Sequence, residues 1–574
     1  MKSSARLLVS AFLLCIISYV GIGQIKWFNP QQSDYQCVQN CGFFDEMKNI
    51  YHRLPDRAKG TVRPPVWKLS NNSAGLGINF YSNSAEITIR YTVSGGKAMS
   101  HMPATGVSGV DLLWTDKDGT WRDIGHSFSF NDTIVFIYKD LDVSLLHEYH
   151  LYLPLYNEVT WMEIGVLENA EFTFAPARLE KPIVVYGTSI AQGACASRPA
   201  NAWTTIVSRH LDIPLVNLGF SGNGTLDESM IDFINEIDAC AYLLDCSYNL
   251  GNFTEDEQVT LLMNAVNNIR QKHDAPIVIV DEAGTSREQT QKEYKDEGET
   301  YRRAARRAYK TLKEMYKDIH FMTFDSIMFT PETTVEGLHP SDYGMMMLAA
   351  RHEAFLRNLL KMPIGEKPVT IPVKQMREPY MYNWTERHED ILRQNISNPP
   401  VNVIIGNSIT HYWAYGHSTE NGKETWDKHL KPANYRNMGC GWDYIQNVLW
   451  RIYHGELDGY EADKILINIG TNNLSFDSDE DIVEGIIFLL EEIRERQPKA
   501  EIKFVAIYPR RNKEKRISEI NNMLSKAVTE HGFLFIDVGD KLLSSNGKID
   551  ENLFIDGLHP NNAGYSKIAE ELFK

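Results

Sequence analysis

Cysteine is scarce, positive charge is in the minority, and only one long apolar run occurs in this chain of 574 residues. Seven cysteines are too few for a disulfide scaffold at this length. Cys15 falls in the apolar run; the others are Cys37, Cys41, Cys195, Cys240, Cys246 and Cys440. Four of these sit in or beside apolar strands or tight turns, where a thiol packs as a small hydrophobe. Cys37 and Cys41 are spaced for a local bridge in an oxidising compartment, but with no His or further Cys nearby they do not read as metal ligands. Lys and Arg number 58 against 75 Asp and Glu, a formal charge of −17, which argues against nucleic acid or an anionic membrane surface as partner. Glycans and small neutral molecules remain compatible with it. The glycines of GFSGNG (219 to 224) lack the helix-spaced fingerprint and acidic follower of a dinucleotide site.

The one apolar run, LLVSAFLLCIISYVGIG, follows Lys2 and Arg6 and ends in small residues before Gln24. It reads as a secretory leader over residues 1–23, and implies a secreted or periplasmic protein with no stable membrane insertion after cleavage. Cys15 follows Leu14 rather than a small residue, which speaks against lipoprotein processing. Loss of the two leader cations takes the formal charge from −17 to −19.

At this length the chain exceeds one hydrophobic core and predicts about three domains. Between 24 and 178 the segments LGINFY (76 to 81), AEITIRYTV (85 to 93), DTIVFIYK (132 to 139), HLYLPLY (150 to 156) and WMEIGV (161 to 166) are short, β-branched and aromatic. Turn clusters separate them, which predicts a β-sandwich of jelly-roll-like class. From 179 to 362, strands such as IVVYG (183 to 187), IPLVNLG (213 to 219), AYLLDC (241 to 246), APIVIVDE (275 to 282) and HFMTFDS (320 to 326) alternate with helical stretches at 257 to 273 and 299 to 318. That alternation predicts an α/β fold with a parallel sheet covered on both faces, and a site at the carboxyl ends of its strands. The proline-rich PIGEKPVTIPVKQMREP (363 to 379) opens a linker and lead-in over 363–394, and the α/β pattern returns over 395–574.

The two α/β units carry one motif plan. Ser189 closes GTSI after its strand and His339 follows 150 residues later in EGLHP; Ser408 closes GNSI and His559 follows 151 residues later in DGLHP. A serine hydroxyl becomes a nucleophile only when a base takes its proton, and that base needs a partner holding its tautomer. Glu336 and Asp556, each three residues before the histidine, suit that role. An oxyanion needs donors as well. Gly222 and Asn249 lie 33 and 60 residues beyond Ser189, and Gly441 and Asn472 lie 33 and 64 beyond Ser408.

This ordered set of Ser, Gly, Asn and His blocks resembles the SGNH/GDSL hydrolase superfamily. The resemblance implies two flavodoxin-like three-layer ester hydrolase domains without a cofactor. It also implies that Ser408, Asn472, Asp556 and His559 serve as nucleophile, oxyanion donor, orienter and base. The first unit matches more divergently, with Glu336 where the family has Asp. In the second, the oxyanion glycine position falls on Trp442 when counted from Asn437 and on Gly441 when counted from Ser408. GVSGVDLLW (106 to 114), RLPD (53 to 56) and PPVWKLSNNSAGL (64 to 76) resemble the GxDLY-type domain fused to bacterial members, with Leu113 in place of Tyr. YNWTERHEDI (382 to 391) resembles the lead-in of bacterial members similar to platelet-activating-factor acetylhydrolases and to glycan acetylesterases.

The expectation is a serine esterase that removes O-acetyl groups from glycans, with Arg198 placed for a substrate carboxylate or for a salt bridge, and Trp413 and Trp442 placed to stack on sugar. A lipase or thioesterase, a uronate methylesterase, and a glycan-binding protein with inactive sites are the rival readings. A homo-oligomer is compatible with the sequence.

Overall fold

The computed structural model describes residues 24–324, 330–377, 382–414 and 421–574. The expected leader lies outside these, as do residues 325 and 326 of the last expected strand of the first unit. No helix among the described residues is long and apolar enough to cross a membrane.

Residues 25 to 174 form two antiparallel sheets. One has the order Ile25–Phe28, Val159–Leu167, Glu86–Val93, Ile134–Lys139, His126–Phe130; the other runs Phe172–Phe174, Gly77–Ser82, His147–Tyr152, Asp111–Thr115, Trp121–Asp123. Alternate side chains of the two, among them Ile87, Ile89 and Met162 from the first and Ile78, Phe80 and Leu151 from the second, share one buried core. This period of two is what the sequence carried in those segments. Cys37 and Cys41 are both buried and unbridged, so the expected local disulfide is corrected. Each thiol packs in apolar surroundings, and burial pushes both up to about 11.

Both later units are five-stranded parallel sheets in the order 2-1-3-4-5, the order of flavodoxin-like doubly wound folds. The first strands, Ile183–Gly187 and Asn402–Gly406, are buried at every position because helices cover both faces. Register repeats as well: Gly187 pairs with Gly219 and Gly406 with Gly439. The helices of the first unit lie close to their expected places, at Glu255–Ile269 and Lys292–Met315, and the second unit has counterparts at Asp479–Arg496 and Glu514–Glu530. At Glu255–Ile269 a capping box sets the start, with Thr254 Oγ1 accepting from Glu257 N and Glu257 accepting from Thr254 N.

The proline-rich stretch is packed rather than slack. Val369 and Gln375 are buried, and Lys374 Nζ lies 3.5 Å from both Glu148 and Asp212. Arg377 donates to Asp118 of the amino-terminal domain at 2.8 Å and to the Trp442 carbonyl of the second unit at 2.9 Å. Trp450 Nε1 of the second unit donates to Asp212 of the first at 3.0 Å. One strap of chain therefore touches all three bodies.

Candidate active site

Each serine opens a helical turn at the carboxyl end of the first strand. Thr188 Oγ1 accepts from Ile190 N at 3.4 Å to cap Ser189–Gln192, and Asn407 Oδ1 accepts from Ile409 N at 3.0 Å to cap Ser408–His411. The turn presses against the end of the second strand. A Cβ on Gly219 would come within 2.3 Å of Gln192 N, and one on Gly439 within 2.2 Å of His411 N, so a side chain there would push the serine turn away.

Ser189 Oγ lies 2.9 Å from His339 Nε2, and Ser408 Oγ lies 2.9 Å from His559 Nε2. On the far side of each ring, His339 Nδ1 bonds Glu336 Oε1 and His559 Nδ1 bonds Asp556 Oδ2, the latter at 2.7 Å. A carboxylate at Nδ1 keeps the imidazole proton there and offers the Nε2 lone pair to the serine. The acid and base share one tight loop. His339 N donates to Glu336 at 3.0 Å and His559 N to Asp556 at 2.8 Å, while Val335 N and Ile555 N each donate to the histidine carbonyl at 2.9 Å. Partial burial would raise both carboxyls, but the donors from their own histidine outweigh it and hold them below the usual carboxylate range.

The two acids are braced differently. Arg287 Nη2 donates to Glu336 Oε2 at 2.5 Å, fixing the far oxygen of the longer side chain. Arg511, in the matching place, donates instead to the Asp556 carbonyl at 2.9 Å and pairs with Glu551. In a protein with Ser408→Ala, so that only the first site reports, Arg287→Ala is expected to lower kcat about tenfold, equivalent to ~1.4 kcal/mol, with KM little changed. Steady-state kinetics on a chromogenic ester checks this.

The loops after the second strands show which residues of the two units correspond. Asn217 donates to Ala191 O and accepts from Gly219 N; Asn437 donates to Thr410 O and accepts from Gly439 N, so the two asparagines occupy the same place. Five residues on, Gly222 has φ +67° and Trp442 has φ +65°. Trp442 thus stands where Gly222 stands, and Gly441 takes the place of Ser221. The Gly441 carbonyl accepts from Gln375 and Tyr382, at 2.9 and 2.7 Å. A bulky residue in the left-handed region is strained by about 1–2 kcal/mol. Trp442→Gly is expected to raise stability by up to about 1 kcal/mol, read from the denaturant midpoint, because the half-exposed indole gives up little burial when the backbone strain is relieved.

Asn249 and Asn472 both flank these loops. Asn249 Oδ1 accepts from Gly224 N at 3.0 Å, which leaves its amide N–H groups without a protein acceptor among the described residues. Asn472 Nδ2 donates to the Asp443 carbonyl at 3.0 Å. Behind that second loop, Asp443 accepts from Trp384 Nε1 at 2.7 Å and from Arg451 Nε at 2.9 Å, and Arg451 also pairs with Glu456. All three charged groups are buried, and burial pushes the Asp443 carboxyl up to about 6.

One expected substrate contact is corrected, and of the two readings of Arg198 the salt bridge is the one formed. Trp413 is 1% exposed and packs on the Tyr565 ring, its indole belonging to the core. Arg198 spans the domain boundary, with Nη1 3.0 Å from Asp111 and 3.2 Å from Asp123, so its guanidinium is held by protein carboxylates. Asp111, the acidic residue of the GVSGVDLLW stretch, also accepts from Ala200 N at 2.9 Å, pinning the segment that follows the first serine turn.

Arg53 and Arg387 carried no motif of their own and were missed. Arg53, from the RLPD stretch, donates to the carbonyls of Asn217 and Gly219 at 3.1 and 2.7 Å. Arg387, from the lead-in, donates to those of Asn437 and Gly439 at 2.7 and 3.3 Å. Each satisfies carbonyls at the end of the second strand, under an oxyanion loop. The only available signal was an arginine within each of the stretches RLPD and YNWTERHEDI.

A Ser–His–carboxylate relay at the carboxyl edge of a 2-1-3-4-5 sheet, built twice, defines a serine-type ester hydrolase. Residues 180–357 and 404–567 each match the GDSL-like lipase/acylhydrolase family, and residues 25–172 match the GxDLY domain found at the N-terminus of SGNH-hydrolase-type esterases. The chain belongs to the GDSL-like family, with two hydrolase units in tandem behind a GxDLY domain. It is 28% identical over 197 residues to a platelet-activating factor acetylhydrolase IB subunit beta homolog of Drosophila melanogaster, covering 33% of this chain and 83% of that one. The human alpha1 subunit is 27% identical over 194 residues, covering 33% and 80%. A crystal structure of a GDSL-like lipase from Bacteroides ovatus aligns with TM-score 0.55 and 29% identity, covering 59% of this chain and 98% of that one.

Proposed function

We propose that the chain removes O-acetyl groups from glycans at two serine sites. Ser189 and Ser408 attack the ester carbonyl, and His339 Nε2 and His559 Nε2 take the hydroxyl protons. Glu336 and Asp556 hold the imidazoles in place and stabilise the imidazolium. The backbone N–H groups at Gly222 and Trp442, with the amides of Asn249 and Asn472, face the developing oxyanion. Collapse of the tetrahedral intermediate passes the histidine proton to the departing sugar alkoxide. Water, deprotonated by the same histidine, then attacks the acyl-serine, and the histidine returns that proton to the departing serine oxygen as acetate leaves. The observation that carries this reading is the pair of 2.9 Å Ser–His contacts, each with a carboxylate behind the ring.

An acetyl group is favoured because the curated relatives are named acetylhydrolases. A neutral glycan is favoured by the acidic charge and by the half-exposed Trp442 indole. The same reading includes export to the periplasm or beyond, a jelly-roll-like sandwich for residues 24–178, hydrolase domains over 179–362 and 395–574, and room for self-association. Acetate release from a panel of acetylated oligosaccharides tests the substrate. Methanol from esterified uronates, or rates that rise with acyl length on chromogenic esters, would replace it with a methylesterase or a lipase.

A further inference from the structure

The first site carries a feature with no match among the described residues of the second. His101, from a loop of the amino-terminal domain, lies beside His339, with ring centroids 6.0 Å apart. Cys195, in the turn after the first serine helix, completes a triangle in which one ligand atom from each of His101, Cys195 and His339 lies within 4.8 Å of the other two. The loop and the turn are already joined, since Cys195 Sγ donates to the His101 carbonyl at 3.4 Å. Backbone contact is close here too, because a Cβ on Gly106 would meet the Ala196 carbonyl oxygen at 2.3 Å. His339 Nδ1 is engaged by Glu336, so Nε2, the atom that faces Ser189, is the one free to ligate.

We propose that His101, Cys195 and His339 form an inhibitory site for a borderline-soft divalent ion, zinc in the first instance. Two imidazoles and a thiolate are a zinc-type donor set, with bonds of about 2.0–2.3 Å and a fourth position left for water or Ser189 Oγ. Tetrahedral bonds of that length set ligand atoms about 3.5 Å apart, so the triangle must close by roughly 1 Å. His101 is exposed on its loop and can supply that movement. On binding, the Cys195 thiol gives its proton to solvent and the His339 Nε2 lone pair goes to the metal; no group is oxidised or reduced. His339 then has no lone pair for the Ser189 proton, and the first site stops. In the second unit Ala414 stands six residues beyond Ser408, as Cys195 stands beyond Ser189, and the Tyr412 ring lies 5.0 Å from that of His559. Among the described residues no matching cluster exists there.

The block on hydrolysis rests on His339 being the base of the proposed reaction, whereas the binding does not. The test therefore has two readouts. Cobalt(II) titrated into the full-length protein is expected to give a thiolate-to-metal charge-transfer band that is lost in Cys195→Ser and weakened in His101→Ala. Zinc is expected to lower ester hydrolysis at least about tenfold in Ser408→Ala, reversibly with a chelator, and to leave Ser189→Ala within about twofold. Cys195→Ser and His101→Ala, each combined with Ser408→Ala, are expected to hydrolyse without zinc and to resist it. A missing band, a band unchanged in Cys195→Ser, or equal inhibition of both sites overturns the proposal. A cysteine-dependent band with undiminished first-site hydrolysis overturns the block and counts against His339 as base, while the binding stands.

Discussion

Substitution of both serines, Ser189→Ala with Ser408→Ala, is expected to abolish ester hydrolysis, with kcat falling by about 10⁴-fold or more. In the proposed mechanism each alanine removes the atom that bonds the acyl group, leaving only the residual rate that the oxyanion donors supply. The two sites do not share a reacting atom, so the single variants divide the activity between them. Ser408→Ala is expected to remove a measurable share, and the remainder belongs to Ser189. Within one site the losses do not add: His339→Ala on top of Ser189→Ala is expected to cost nothing further, because the relay works as a unit. Acetate release from the two single variants and the double variant, with circular dichroism as a folding control, measures all of this. Full activity in the double variant would reject the mechanism.

The largest stability effect is expected at Arg451. It is fully buried between Asp443 and Glu456, which are 0% and 1% exposed, and Glu456 also accepts from His388 at 2.9 Å. Arg451→Ala strands two carboxyls away from water and is expected to destabilise the second hydrolase unit by ~3–5 kcal/mol. The second site should fail with it, because the Asp443 carbonyl holds the Asn472 amide. Arg451→Met combined with Asp443→Asn and Glu456→Gln removes the charge along with the partner, and is expected to recover much of the loss. Chemical denaturation of the three proteins decides it. A destabilisation below about 1 kcal/mol in Arg451→Ala would show that water reaches the network.

The strands of the parallel units were legible because burial on both faces favours near-continuous apolar runs, of which IVVYG is an example. The spacing of serine and histidine was legible because one sheet order was repeated. Side-chain exposure was not. Trp413 and Trp442 both follow strand ends, and nothing local separates an indole sunk beside Tyr565 from one half open to water. Prolines made residues 363 to 379 look slack, yet Pro368 opens a short 3₁₀ turn that seats Val369 in the core. The sequence left Arg198 open between substrate and salt bridge because its partner Asp111 lies 87 residues away in another domain. The spacing left two counts open at Gly441 and Trp442, and a backbone angle, which sequence does not carry, separated them.

The placement of Arg53 and Arg387 bears on how the molecule can be divided. A fragment opening at residue 179 would contain the first serine, histidine and acid but leave the Asn217 and Gly219 carbonyls without their guanidinium. A fragment opening at residue 363 would keep Arg387 on the Asn437 and Gly439 carbonyls, together with Gln375 and Arg377 on those of Gly441 and Trp442. Excision should therefore succeed for the carboxy-terminal unit and fail for the middle one, making the GxDLY segment an inseparable component of the first enzyme rather than an accessory attached to it.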